Sequence, residues 1–145
     1  MTATERIEEI VHRETRAWDT QDVDLLIGVF HPDMVWPWPP GPHAHDPAGW
    51  VLEWGRYDER RWRDGWSELF RTHRLVHNRR SIVRIAATEQ EDGGFAVVDV
   101  DTLWEGADGA PFHWLGRACK IYTLVGGEFK MIAQVGLLDY GGARG

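Results

Sequence analysis

The stretch FHPDMVWPWPPGPHAHD, residues 30–46, concentrates the side chains best suited to chemistry. His43, His45 and Asp46 offer imidazole and carboxylate groups, which are ligands for zinc or iron. Alternate residues point the same way only in an extended segment, and the neighbouring prolines favour a loop. We therefore predict that these histidines face solvent or line the mouth of a pocket, and that no metal is bound.

The chain is rich in tryptophan, with nine Trp in 145 residues. Trp36 and Trp38 lie on one side of a short predicted strand, and Trp50 follows the same proline-rich turn. These three either line an apolar pocket for a flat or cyclic ligand or pack into the core. A further group has helical spacing and is explained more simply by a helix packed on a sheet: Trp54, Trp62 and Trp66.

Residues 94–104 alternate between an apolar face, which we assign to the core, and a face that contains Asp99 and Asp101. The two carboxylates then lie in solvent or at a subunit interface, where Arg84 or Arg117 could pair with them. A catalytic carboxylate pair is the alternative interpretation.

On the next predicted strand, His113 and Lys120 lie on opposite faces. Either could project into a cavity, and a shift of one residue in register would exchange them. The sequence alone leaves this choice open.

The elements that must position these groups follow from periodicity and turn residues. Thr2 and Glu5 fit a capping box for a helix over about residues 4–18, and a short second helix ends before Pro32. Asp46 and Pro47 open a third helical segment. Four strands separated by glycine-rich turns follow at residues 75–88, 94–104, 111–125 and 128–138.

This order predicts a single α+β domain over residues 1–145. Three or so N-terminal helices would pack on one face of a curved, mostly antiparallel sheet, as a cone-shaped α+β barrel with an open mouth. The net charge of −7 argues against a general nucleic-acid partner. One cysteine, no long apolar run and a charged N-terminus predict a cytoplasmic protein without disulfides or membrane spans.

Three local motifs are similar to the nuclear transport factor 2-like superfamily, which includes ketosteroid isomerase, scytalone dehydratase and the SnoaL-like polyketide cyclases. Residues 18–26, WDTQDVDLL, resemble the family's linker between the first two helices, and residues 30–36, FHPDMVW, its entry to the first strand. Residues 72–78, THRLVHN, resemble the start of its long second strand. The resemblance covers almost the whole chain.

The resemblance also assigns candidate site residues. The positions that match the two acids of ketosteroid isomerase hold Trp38 and either Cys119 or Lys120, so steroid isomerisation by that mechanism is not expected. The dehydratase-like pair of an aspartate and a histidine matches Asp19 and His73, where the carboxylate would orient the imidazole as a general acid/base.

The resemblance implies a homodimer and a cofactor-independent acid/base enzyme of dehydratase, cyclase or isomerase type. Its substrate would be an apolar, cyclic or polyketide-like compound, and the alternative is a non-catalytic module for ligand binding or dimerisation. The residues predicted to hold the ligand are Trp18, Trp36, Trp38, Trp50, His45 and His113.

Overall fold

The computed structural model of the chain describes residues 1–41 and 43–138. Helix α1 spans Ala3–Thr20, and its N-cap is Thr2, whose hydroxyl accepts a hydrogen bond from the backbone of Glu5. The predicted cap at Thr2 is therefore confirmed, and the Glu5 carboxylate accepts a hydrogen bond from the Thr2 hydroxyl at 3.2 Å. The buried face of α1 is apolar apart from Glu14, which is as fully buried as its neighbours.

Helix α2 spans Val23–Ile27 and strand β1 spans Phe30–Val35. The second helix ends before Pro32, as predicted, but it stops at Ile27, and Pro32 lies inside β1. The strand tolerates proline because it is at the edge of the sheet and pairs only with β5.

The segment after β1 is mostly irregular, and the helix predicted from Pro47 is limited to one 3-10 turn at Pro47–Gly49. Asp46 caps this turn, as predicted, by accepting a hydrogen bond from the backbone of Ala48 at 3.0 Å. Gly55, with φ of 65°, turns the chain back before α3 starts at Glu59 and continues to Thr72.

The four predicted strands are all present, as β2 (His73–Ala87), β3 (Gly93–Gly106), β4 (Pro111–Val125) and β5 (Glu128–Leu138). The sheet order is β1-β5-β4-β3-β2, in which β1 is parallel to β5 and the other pairs are antiparallel. The sheet is not closed, so β1 and β2 are its free edges. The predicted cone of helices on a mostly antiparallel sheet is confirmed.

The sheet has an inner face under the helices and an outer face away from them. On β3 the inner face is the one predicted from the alternation, with Ala96, Val98, Val100, Thr102 and Trp104 all buried. The outer face of the same strand contains Phe95, Asp99 and Asp101, which are exposed or half-buried. None of the described helices is long and apolar enough to cross a membrane.

Candidate functional site

An open cavity of about 710 Å3 lies between α3, the loop after β1 and the start of β4. This volume is within the range of small-molecule sites, about 300–1,000 Å3. Its apolar walls are formed mainly by aromatic side chains: Trp38, Trp54, Trp66, Phe112 and Trp114. The arrangement suits a flat or cyclic apolar ligand.

Trp66 is the centre of the aromatic wall, and it projects from α3. Its ring centroid lies 4.6 Å from that of Trp54 and 5.0 Å from that of Trp18, and both contacts are edge-to-face. Gly65 allows Trp54 to reach this position, because a Cβ atom at residue 65 would lie 2.6 Å from the Trp54 ring. The absence of a side chain at Gly65 therefore lets Trp54, in the loop before α3, pack against the helix and line the cavity.

His73 also lines the cavity, at the junction where α3 ends and β2 begins. Its Nδ1 atom lies 2.8 Å from the hydroxyl of Thr72, and that hydroxyl donates its proton to the carbonyl of Glu68 at 2.7 Å. With the hydroxyl proton assigned to the Glu68 carbonyl, the Thr72 oxygen accepts a hydrogen bond from Nδ1–H of His73. This tautomer leaves the Nε2 lone pair of His73 as the basic site.

The predicted pair of Asp19 and His73 is not brought together. Asp19 accepts a hydrogen bond from the side chain of Asn78 at 2.9 Å, and within the described residues it makes no hydrogen bond with His73. Asn78 is five residues along β2 from His73, a distance of about 16 Å in an extended strand. Asp19 therefore meets β2 too far from its start to orient His73.

His113 is the second histidine of the cavity, and it belongs to a cluster on the outer face. Asp101 Oδ1 lies 2.6 Å from Nε2 of His113 and 2.8 Å from Nε2 of His77. Burial by itself raises the pKa of Asp101, but the hydrogen bonds from the two histidines outweigh it, so the pKa lies below its ordinary value. No local sequence signal connects these three residues, which become neighbours only through the strand register.

A buried charged cluster lies on the inner face, under α1. Lys120 Nζ donates hydrogen bonds to Glu14 Oε2 at 3.1 Å and to Gln134 Oε1 at 2.6 Å, and Arg80 lies 3.4 Å from the same Glu14 oxygen. Trp18 Nε1 donates a further hydrogen bond to Glu14 at 3.0 Å. Glu14 and Lys120 are each 1% exposed, so the whole ion pair is excluded from water.

The charge balance of this cluster explains its pKa directions. Burial raises the pKa of Glu14, but the charges of Lys120 and Arg80 outweigh it and leave the pKa below its ordinary value. Burial also lowers the pKa of Lys120, only partly opposed by Glu14. Two cations share one carboxylate, so the anion is stabilised while the ammonium is not fully compensated.

A void of about 10 Å3, close to the space of one water molecule, borders this cluster. Trp38 and Trp114 line both the void and the large cavity, so their indoles separate the charged cluster from the cavity. The Trp36 and Trp38 rings stack at 4.9 Å with an angle of 13° between them. The charged groups are thus close to the cavity but closed off by tryptophan.

The structure divides the predicted ligand-binding residues among several places. Trp38 and His113 line the large cavity, whereas Trp18 and Trp36 line only the small void. Trp50 borders a separate depression beside Cys119 and Val135, and its indole N–H donates a hydrogen bond to the carbonyl of Ala44 at 2.7 Å. The loop histidine His45 is not among the residues that line the cavity.

No protein-family profile and no curated protein matches the sequence. Solved structures do match in three dimensions. A ketosteroid isomerase-like protein from Erwinia carotovora atroseptica SCRI1043 aligns with a TM-score of 0.67 at 13% identity, over 90% of this chain and 92% of that one. A nuclear transport factor 2-like protein from Cytophaga hutchinsonii ATCC 33406 aligns with a TM-score of 0.67 at 17% identity, over 92% and 96%. The chain has the nuclear transport factor 2-like fold.

A candidate scytalone dehydratase from Novosphingobium aromaticivorans DSM 12444 has the same fold. It aligns with a TM-score of 0.64 at 11% identity, over 90% of this chain and 79% of that one. The predicted resemblance is therefore confirmed for the fold. At these identities the likeness does not extend to the activity of any of these proteins.

Proposed function

We propose that the chain is a cofactor-independent acid/base enzyme that acts on an apolar ring compound in the aromatic cavity, with His73 as the group that moves the proton. The observation that supports this most directly is that His73 is a cavity residue whose Nδ1–H is held by Thr72, which leaves Nε2 as the base. A positioned imidazole is the commonest general acid/base in proteins.

The reaction class follows from what this site offers. Nε2 of His73 would remove a proton from a carbon next to a carbonyl group, and the electron pair of the C–H bond would become the enolate. The imidazolium would then return the proton to carbon or to a leaving hydroxyl, which gives isomerisation in the first case and dehydration in the second. The isomerase-like and dehydratase-like names among proteins of the same fold agree with this class.

The proposal can be tested without knowledge of the natural substrate. The fused-ring ketone 2-tetralone has acidic C–H bonds next to its carbonyl, and their exchange for deuterium in D2O is followed by proton NMR. We expect the protein to accelerate this exchange and His73→Gln to slow it by about 100-fold, the lower part of the range for general acid–base catalysis. His12→Gln, which changes an exposed histidine on α1, is the matched control and should exchange like the wild type.

The alternative is a binding module of the same fold without catalysis. It predicts that the ketone quenches tryptophan fluorescence saturably in the wild type and in His73→Gln, while neither protein accelerates exchange. Exchange that is accelerated equally by both proteins would remove His73 from the mechanism.

We also propose a homodimer formed through the outer face of the sheet. Three adjacent apolar side chains there are exposed, Phe95 at 41%, Ile121 at 37% and Val135 at 44%, and Phe95 and Ile121 are direct cross-strand partners. Such clustering is typical of an interaction surface. Ile121→Lys should convert a dimer to a monomer in sedimentation velocity, whereas a wild-type monomer would overturn the proposal.

The single cysteine is in keeping with a cytoplasmic location.

A further inference from the structure

The outer face of the sheet brings two histidines and one aspartate to a single point. His77 on β2 and His113 on β4 are both register partners of Leu103 on β3, so the two histidines flank the same residue from opposite sides. Asp101 is two residues before Leu103 and projects from the same face. The three residues therefore meet because of the strand register, although they are far apart in the sequence.

The donor atoms of this group converge. Oδ1 of Asp101 is within 2.8 Å of Nε2 of both histidines, and the three donor atoms all lie within 4.8 Å of one another. The two imidazole rings are 6.0 Å apart between centroids and nearly perpendicular, at 85°. Two rings so oriented present their Nε2 atoms to a shared point from different directions.

We propose that His77, Asp101 and His113 form a binding site for a divalent transition metal ion of the zinc class. Two imidazole nitrogens and one carboxylate oxygen form a donor set that suits zinc and also cobalt and nickel, and they leave a fourth position open. The group is accessible, since the side chains of His77 and Asp101 are 24% and 28% exposed and that of His113 is 40% exposed.

Metal binding requires the three side chains of this cluster to rearrange, since the donor atoms now lie within 4.8 Å of one another. Bonds of about 2.0–2.1 Å in a tetrahedral ion hold the donor atoms about 3.4 Å apart. The nitrogen–oxygen distances of 2.6 and 2.8 Å must then lengthen by about 0.6–0.8 Å, which rotation of partly exposed side chains can supply. Each histidine that donates Nε2–H to Asp101 would bind the metal through Nε2 and carry its proton on Nδ1.

The site is independent of the proposed acid/base chemistry, because His73 contributes no donor atom to it.

The test uses untagged protein freed of metal with a chelator. Zinc is titrated by calorimetry, and cobalt is added as a spectroscopic probe whose visible absorption is intense only in tetrahedral coordination. We expect one ion per chain and an intense cobalt spectrum. His77→Ala, Asp101→Asn and His113→Ala should each weaken zinc binding by at least about tenfold, because the loss of even an outer-shell partner costs this much.

The matched control is the double variant His43→Ala/His45→Ala, which removes the other closely spaced histidine pair and should bind zinc like the wild type. The variant His73→Gln should also bind normally, which separates this test from that of the acid/base proposal. Unchanged far-UV circular dichroism identifies the folded variants. The proposal is overturned if the wild type shows no saturable binding, if the loop double variant loses binding, or if the folded site variants bind as the wild type does.

Discussion

Replacement of Lys120 by methionine is the sharpest test of the buried charged cluster. Methionine has nearly the volume of the lysine stem, so Lys120→Met removes the ammonium group without creating a cavity. Glu14 then loses one hydrogen bond and Gln134 loses its partner, whereas Arg80 and Trp18 remain beside Glu14. The change isolates one cation of a buried pair.

The expected loss follows from these contacts. A hydrogen bond to a charged group contributes about 1.5–3 kcal/mol, and an unpaired buried polar oxygen on Gln134 adds about 1–3 kcal/mol. The ammonium no longer has to be buried, which offsets part of this sum. We expect the free energy of unfolding to fall by about 3 kcal/mol, a large fraction of the 5–15 kcal/mol typical of a domain.

Equilibrium unfolding in urea, followed by tryptophan fluorescence, measures this loss. Lys130→Met is the matched control, because Lys130 is 21% exposed and bonds to the carbonyl of Gly28, so its loss should cost at most about 1.5 kcal/mol. The double variant Glu14→Gln/Lys120→Met should lose at least about 1 kcal/mol less free energy of unfolding than the two single variants lose together. A Lys120→Met protein within about 0.5 kcal/mol of the wild type would refute the buried ion pair.

Three further predictions concern stability and the tautomer of His73. Gly65→Ala should lower the free energy of unfolding by about 1–3 kcal/mol in the same assay. The clash of the new Cβ atom with Trp54 outweighs the roughly 1 kcal/mol by which alanine stabilises a helix relative to glycine. A variant more stable than the wild type would contradict the close contact between Gly65 and Trp54. The pKa of Glu14 is lowered in the folded state, so its contribution to stability is present above the ordinary pKa of 4.5 and is lost as the pH falls through the folded value. Urea unfolding from pH 6 to pH 3 should therefore show a shallower loss of stability in Glu14→Gln than in the wild type, and equal slopes would contradict this. Thr72→Val removes the acceptor for Nδ1–H of His73 and should reduce deuterium exchange of 2-tetralone by about tenfold while ketone binding is kept; unchanged exchange would show that Thr72 does not position the base.

The strands and the inner face of the sheet could be predicted because alternation and glycine-rich turns are local signals. The assignment of Val98 and Val100 to the core required only the two-residue period of β3. The helix predicted after Pro47 failed for a related reason, since tryptophans at helical spacing also fit a loop that packs on α3. Trp54 is in that loop, and only the absence of a side chain at Gly65 allows its approach.

The candidate site was less predictable because its groups meet through strand register and tertiary contacts. His73 and His113 were identified as candidates, but the predicted partner of His73, Asp19, is bonded to Asn78 farther along β2. The contact between His113 and Asp101 depends on the register of β4 against β3. A shift of one residue would place His113 on the opposite face of the sheet from Asp101. Neighbouring charges in space, rather than in sequence, determine what these side chains can do.

A crystal structure of the protein with 2-tetralone bound would show where the ketone lies relative to His73. We expect the ring to lie in the cavity against Trp66 and Trp114, with a carbon next to the carbonyl within reach of Nε2 of His73. A ketone bound outside this cavity, or one that displaces Trp38 to contact Lys120 instead, would contradict the assignment of His73 as the acid/base group.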